Sequence, residues 1–199
     1  IEESIHDAFV KRFAERANAM TIGNPLDNPD MGPLVSEGQL NDVMGYVKKG
    51  IEEGATLVCG GERYTEGECA KGYFMRPTIF DNCTPDMTIV REEIFGPVVT
   101  IQTFKTEEEA IALANDTDYG LAGGVFTHQL ERALRVVKEV RAGITWVNAF
   151  NPTFNEAPWG GYKMSGIGRE LGVHGLEEYQ EIKQVNINLT PGPVGWYEH

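Results

Sequence analysis

The sequence predicts an α/β protein: a mostly parallel sheet flanked by helices, with a C-terminal β-strand tail. Three observations carry this. Segments of helical periodicity alternate with short β-branched runs through residues 36–150, the order that lays helices on the faces of a parallel sheet. Glycines mark the joints, as Gly54 and Gly60-Gly61 do around Thr56 to Cys59, where a helix stops and a short strand follows. The composition, 41% hydrophobic, 24% charged and 10% aromatic over 199 residues, is that of a folded globular chain.

Taken in order, Ile1 to Met20 reads as an amphipathic helix, with Ile5, Phe9, Phe13 and Ala17 recurring every four positions. A chain that opens on Ile rather than Met, already inside such a helix, is expected to be a fragment. Asn24-Pro25, Asn28-Pro29 and Gly32-Pro33 prevent any helix from continuing. Ser36 then caps a helix to about Glu53, striped by Leu40, Val43, Met44, Val47 and Ile51. After the strand Thr56 to Cys59, Glu62 to Lys71 reads as a loop and Tyr73 to Phe80 as a strand interrupted at Pro77.

Val98 to Phe104 is the next strand, and Thr106 caps a helix to Ala114, with Glu107, Glu108 and Glu109 where the helix dipole favours negative charge. Leu121 to Thr127 is a glycine-rich strand. Leu130 to Val140 is a helix with Leu130, Ala133, Leu134, Val137 and Val140 inward, and Ile144 to Phe150 is another strand. Asn151 to Arg169 has no periodicity, and loops of that length in compact domains usually carry function. Gly175 to Ile182 predicts a short helix. Gln184 to Leu189 alternates polar and apolar without an obvious hairpin partner, a strand suited to pairing with another element or subunit.

Several function classes fall away. The 17 Lys+Arg against 30 Asp+Glu leave a net charge of −13, which argues against nucleic acid or an anionic membrane as partner. No apolar run approaches the roughly 18 residues of a membrane span. Cys59, Cys69 and Cys83, an odd count without CxxC spacing, point to free thiols in a reducing, cytoplasmic compartment. His6, His128, His174 and His199 lack metal-ligand spacing. Cys59 sits in an apolar strand, and Cys69 and Cys83 lie beside acids, so none reads as a nucleophile. GxxxxGK[ST] and GxGxxG are both absent.

Two dense segments remain. In Arg91-Glu92-Glu93-Ile94-Phe95-Gly96-Pro97, a carboxylate can accept both hydroxyls of a ribose diol and the ring offers a flat face. On chemistry alone, a solvated turn with Phe95 plugging the core is the simpler reading. The second runs from Asn155 to Gly172, where Gly160, Gly161, Gly166, Gly168 and Gly172 permit close approaches while Trp159, Lys163, Arg169 and Glu170 supply a π-face and charge. A cation-binding wall at Trp159 and a merely structural glycine-rich crossover stand level there.

Together these segments resemble the aldehyde dehydrogenase superfamily. The motifs Glu92-Glu93-Ile94-Phe95-Gly96-Pro97, Gly32-Pro33 ahead of a helix, Asp118-Tyr119-Gly120-Leu121 and Pro158-Trp159-Gly160-Gly161-Tyr162-Lys163-x-Ser165-Gly166 follow the family's order and spacing. Glu156 to Lys163, with Ile167 to Gly172 and the closing Gly195-Trp196-Tyr197, is similar to the betaine aldehyde branch. The resemblance implies that residues 1–174 are part of a catalytic domain and 175–199 an oligomerisation tail. The dinucleotide-binding domain, general-base Glu and nucleophilic Cys would lie in a preceding stretch, leaving the fragment itself inactive.

Residue by residue, the resemblance implies that Glu93 holds the nicotinamide ribose of NAD or NADP, Phe95 contacts the nicotinamide, and Gln39 approaches the adenine-side ribose. Asp42 departs from the family's frequent Lys. Trp159 would wall an aromatic box around a trimethylammonium head, with Phe150 and Phe154 as further pocket candidates. The carbonyls of Lys163 and Gly166 would hold potassium (K+), and Glu170 would relay protons; a buried pair with Lys163 or Arg169 is the alternative for Glu170. The implied chemistry is covalent: a thiolate attacks the aldehyde, hydride passes to NAD(P)+, and water hydrolyses the thioester to a carboxylate. An aminoaldehyde dehydrogenase and a non-catalytic assembly module remain alternatives, and the implied partners are a small-molecule aldehyde and copies of the chain, as dimer or tetramer, through Gln184 to Leu189.

Overall fold

The structure, a computed structural model, describes residues 1–190, 192 and 195; Trp196 and Tyr197 of the closing motif lie outside them. The α/β expectation holds. A three-stranded sheet joins β1 (Thr56–Cys59), β2 (Thr78–Asp81) and β3 (Val98–Thr100), antiparallel at β1–β2 and parallel at β2–β3. The strand expected over Tyr73 to Phe80 is shortened because Pro77 has no N–H to give to a ladder; before it, Met75 makes a single bridge to Arg63. A second parallel pair joins β5 (Ala122–Val125) to β6 (Ile144–Val147), and a short antiparallel pair joins β4 (Tyr119–Gly120) to β7 (Tyr162–Lys163).

The first helix, α1 (His6–Asn18), is preceded by a 3-10 turn at Glu3–Ile5. Its packed face is Val10, Phe13 and Ala17 against Ile79 and Ile101, while Ile5 and Phe9 are exposed. Spacing of strictly four drifts around a helix of 3.6 residues per turn, whereas steps of three and four keep one face. The same periodicity corrects α2 (Glu37–Glu52). Leu40, Val43 and Val47 are buried and the face continues to Gly50, leaving Ile51 exposed. Ser36 caps it as expected, its Oγ accepting from Gln39 N at 3.1 Å.

The main core lies where α2 meets β2: Leu40, Val43 and Val47 cluster with Phe80, Met75 and Ile89. Glu53, just past α2, accepts from Thr88 N at 2.7 Å and Thr88 Oγ1 at 2.6 Å. That carboxylate caps the next short helix, α3 (Thr88–Arg91), and these hydrogen bonds hold its pKa below the ordinary range. Thr106 caps α4 (Glu107–Asn115) through Glu109 N. In α5 (Leu130–Glu139) the contact centres on Ala133, small enough for close approach; Leu130 and Leu134, expected inward, stay exposed.

The last helix, α6, is Gly172–Glu177 rather than Gly175 to Ile182. Gln184 to Leu189 carries no strand assignment, with Val185, Ile187 and Leu189 exposed; a ladder needs a second edge, and no described segment supplies one. No helix among the described residues is long and apolar enough to cross a membrane.

The first helix is fastened by His6, whose ring contacts Asp81 of β2 at 2.8 Å and Asp7 at 2.9 Å. The hydrogen bond to Asp81, then that to Asp7, raises its pKa above the ordinary 6.5. A folded-state pKa above the unfolded one contributes stability that is fully present below the unfolded value and is lost as pH rises through the folded value. We expect His6→Gln to lower the thermal midpoint most below pH 6.5 and progressively less above it, read from melts of both proteins between pH 5.5 and 9.

Candidate functional site

The strip Glu92 to Gly96 leaves α3 and runs across α2 into β3. Pro97 O accepts from Thr78 N at 2.9 Å, which anchors its far end to β2. A Cβ built on Gly96 would lie 2.6 Å from Val43 Cγ2, so only glycine lets the strip sit this close to the helix. Phe95 therefore turns outward: its φ is +52° and it is 75% exposed. The core-plug reading of Phe95 is thereby overturned.

The structure joins two of the three residues assigned to the cofactor. Gln39 Nε2 donates to Phe95 O at 2.8 Å, so this amide supports the strip that carries the ring. Glu93 is exposed and lines the mouth of two cavities, one shared with Asp42, Tyr46 and Lys49, the other with Thr117, Gly120 and Ser165. Beside it, Tyr46 donates its hydroxyl to Glu92 Oε2 at 2.8 Å, which raises the phenol pKa. Arg91 grips Asp116 through Nη2 to Oδ2 at 2.7 Å and Nη1 to the carbonyl at 2.9 Å, lowering the Asp116 pKa. The strip is thus tied to the turn after α4.

The glycine-rich segment is bound to that same turn. Besides the β4–β7 pair, Met164 N donates to Asp118 O at 2.9 Å and Gly120 N to Ser165 Oγ at 3.0 Å. Lys163 Nζ donates to the carbonyls of Asn115 at 3.0 Å and Thr117 at 2.8 Å, a cation at the negative end of α4. Arg169 Nη1 donates to Gly161 O at 3.0 Å and Gly168 O at 2.7 Å, with its guanidinium 5.4 Å from the Tyr162 ring centroid. Both cations are engaged with backbone carbonyls, and Glu170, exposed, makes no ion pair with either. The buried-pair alternative for Glu170 does not hold.

Trp159 and Glu170 form a two-way backbone bridge, 2.7 Å in each direction, and line an open cavity of about 800 Å³ together with Gly166 and Leu176. Lys163 is not among that cavity's lining residues, so the two proposed potassium donors do not share it. Phe150 joins Trp159 through Trp146: ring centroids are 5.2 Å apart for Trp146 and Phe150 and 6.2 Å for Trp146 and Trp159. Phe154 stands apart, 64% exposed, its carbonyl accepting from Ala157 N. Trp146 is the residue that sequence reasoning placed only as part of a strand; a Trp between two β-branched neighbours, Thr145 and Val147, was its signal. No cysteine joins the site: Cys69 and Cys83 are buried, and burial raises the thiol pKa of Cys59 and Cys83.

The scaffold is thus α/β, with an acidic strip at a strand entrance and a glycine-rich aromatic loop tied to the same turn. The aldehyde dehydrogenase family profile matches residues 1–185, and the chain belongs to that family. It is 50% identical to the betaine aldehyde dehydrogenase of Bacillus subtilis over 99% of this chain and 40% of that protein. It is 47% identical to the chloroplastic betaine aldehyde dehydrogenase of Atriplex hortensis over 100% and 39%. The crystal structure of the Staphylococcus aureus betaine aldehyde dehydrogenase in complex with NAD+ superposes with a TM-score of 0.95 at 45% identity, over 100% of this chain and 39% of that one. The chain therefore spans about 40% of the length of these relatives.

One packing contact holds the glycine-rich segment against the β5–β6 unit. A Cβ on Gly143 would overlap the Gly160 carbonyl, and backbone cannot yield as a flexible side chain does. Gly143→Ala is expected to destabilise the protein by roughly 1–3 kcal/mol, as overpacking does, and to raise hydrogen-exchange rates at Trp159 and Glu170 more than in α2.

Proposed function

We propose that this chain is the C-terminal part of an NAD(P)-dependent aldehyde dehydrogenase that oxidises betaine aldehyde to glycine betaine. The observation that carries the reading is Trp159 on the wall of an open cavity, with Trp146 and Phe150 packed behind it as one aromatic group. Ring faces attract a quaternary ammonium by about 2 kcal/mol or more when it is desolvated. The net charge of −13 adds long-range steering of a cation. High identity to betaine aldehyde dehydrogenases over nearly the whole chain supports the same substrate.

The nicotinamide cofactor, when bound, supplies the hydride acceptor. The residues of this chain orient it: the Glu93 carboxylate accepts from two ribose hydroxyls, the outward Phe95 ring contacts the nicotinamide, and Gln39 fixes the Phe95 backbone while keeping its own amide oxygen for the adenine-side ribose. NAD+ is the cofactor named with the Staphylococcus aureus structure, and NADP is the alternative. Trp159 and Phe150 receive the trimethylammonium head, with Phe154 a further ring on the same loop. Glu170 passes protons between the cavity and solvent, a role supported by its backbone tie to Trp159 and its freedom from either neighbouring cation. The carbonyls of Lys163 and Gly166 are oxygen donors of the type an alkali cation takes, and since they do not line one cavity, K+ would bind both only with a shift of the loop.

The nucleophilic thiol belongs to the part of the relatives' length that this chain does not span: Cys69 and Cys83 are buried, and burial raises the thiol pKa of Cys59. Residues 1–174 serve catalysis, and residues 175–199, with the exposed Val185, Ile187 and Leu189, serve assembly of a homo-oligomer by strand pairing.

In the longer enzyme, Trp159→Ala is expected to lower kcat/KM for betaine aldehyde roughly thirtyfold beyond its effect on an uncharged aldehyde of similar size, matching loss of about 2 kcal/mol of cation–π attraction. Steady-state rates on both aldehydes check this, and an equal fall for the two would falsify the cationic-head reading. A preference for an ω-aminoaldehyde over betaine aldehyde would move the assignment to an aminoaldehyde dehydrogenase.

A further inference from the structure

Trp146 is 9% exposed on β6, between Trp159, which lines the cavity, and the exposed ring of Phe150. Its ring lies 5.2 Å from Phe150 at a tilt of 58° and 6.2 Å from Trp159 at 53°. Its indole N–H donates to Pro152 O at 3.0 Å, six residues further on. One side chain thus touches both rings and holds the backbone of the loop that connects them. Phe150, by contrast, is 70% exposed, with no other ring partner among the described residues.

We propose that Trp146 is a positioning residue that sets selectivity for a cationic substrate, by fixing the tilt of Phe150 and Trp159 and pinning the loop between them through Pro152. This rests on the aromatic pocket proposed above. The physical reason is an asymmetry between substrates. A cation is held by ring faces, and the attraction requires a face within about 6 Å of the charge. An uncharged aldehyde of the same size draws on buried apolar area, which is non-directional. Letting the two rings rotate therefore costs the charged substrate more than the neutral one. Trp146 itself is too enclosed to offer the substrate a face, so it acts through its neighbours.

The test uses the longer enzyme with betaine aldehyde, an uncharged aldehyde of similar size, and the variants Trp146→Phe, Trp159→Ala and their double. Trp146→Phe keeps an aromatic ring in the space and removes the N–H. The expected result is a rise in KM for betaine aldehyde of roughly threefold to tenfold, the size of one net hydrogen bond lost, exceeding the rise for the uncharged aldehyde and the change in kcat. On the Trp159→Ala background the same change should give a markedly smaller selectivity shift, because one of the faces it orients is gone.

Equal effects of Trp146→Phe on both aldehydes, or a fall in kcat without the KM split, would show that Trp146 is scaffold only and overturn the proposal. If Trp159→Ala is selective and Trp146→Phe is not, the positioning role fails and the pocket stands. If Trp159→Ala is itself unselective, both fail. Should Trp146→Phe not fold, Trp146→Tyr, which also keeps a ring and removes the indole N–H, gives the same readout: a selective KM rise for betaine aldehyde supports the proposal, and equal rises overturn it.

Discussion

The contact between Val43 on α2 and Gly96 at the end of the acidic strip is the constraint on which the cofactor side depends. Val43 is fully buried, as is Leu40 one turn before it, and burying such a side chain contributes about 1.5–3 kcal/mol. The helix face is therefore fixed against Phe80 of β2 by the main core. Gly96 then brings the strip down onto that fixed face, and Gln39, adjacent to Leu40 in sequence, comes within reach of the Phe95 carbonyl. Core packing, not local loop preference, sets where Glu93 and Phe95 stand. A left-handed phenylalanine with its ring in solvent has no stabilising value of its own and costs about 1–3 kcal/mol; the surrounding contacts over-determine it.

Of the six other described non-glycine residues with positive φ, four lie around the second half of the site: Asn148 and Asn151 flank Phe150, Lys163 lies in β7, and Leu171 precedes α6. Asn148 and Lys163 are held by specific bonds. Asn148 Oδ1 accepts from Thr127 N at 2.8 Å, its Nδ2 donates to Thr127 O at 2.9 Å, and Lys163 is drawn to the end of α4 by two carbonyls. Asp116 sits between the halves, bonded to Arg91 on one side and within the field of Lys163 on the other. Although these pairs are solvent-exposed, and such pairs are individually worth little, they set geometry: the turn after α4 is a shared abutment for both the strip and the loop.

What the sequence made legible follows from how local each feature is. Ser36 and Thr106 cap helices as read because the capping bond closes within three residues. The β1 strand and the parallel character of β2–β3 and β5–β6 also emerge from local runs and their alternation with helices. Faces were less legible. A four-residue spacing in α1 named Ile5 and Phe9, and the packed face proved to be Val10, Phe13 and Ala17, because a real face follows alternating steps of three and four. In α5 the largest side chains were not the inward ones, since closeness to β5 and β6 selects a small residue, Ala133.

The site shows the same division. Glu93, Phe95, Trp159 and Glu170 were nameable from motif order, but the support of each is nonlocal: Gln39 and Phe95 are 56 residues apart, and Lys163 and Asn115 48. No spacing rule reaches that far. Trp146 was hidden for a different reason, since a Trp within a β-prone run looks like ordinary core and its partners Phe150, Pro152 and Trp159 lie beyond the strand, where periodicity has ended. The exposed rings share one cause with the unpaired Gln184 to Leu189 segment. Apolar groups that nothing in the described chain covers, here Phe95, Phe150, Ile182, Val185, Ile187 and Leu189, are surface that a ligand or another stretch of protein gains free energy by covering. Leu26, Val35, Phe126 and Leu130 are exposed as well, so uncovered apolar surface extends beyond the aromatic site and the tail.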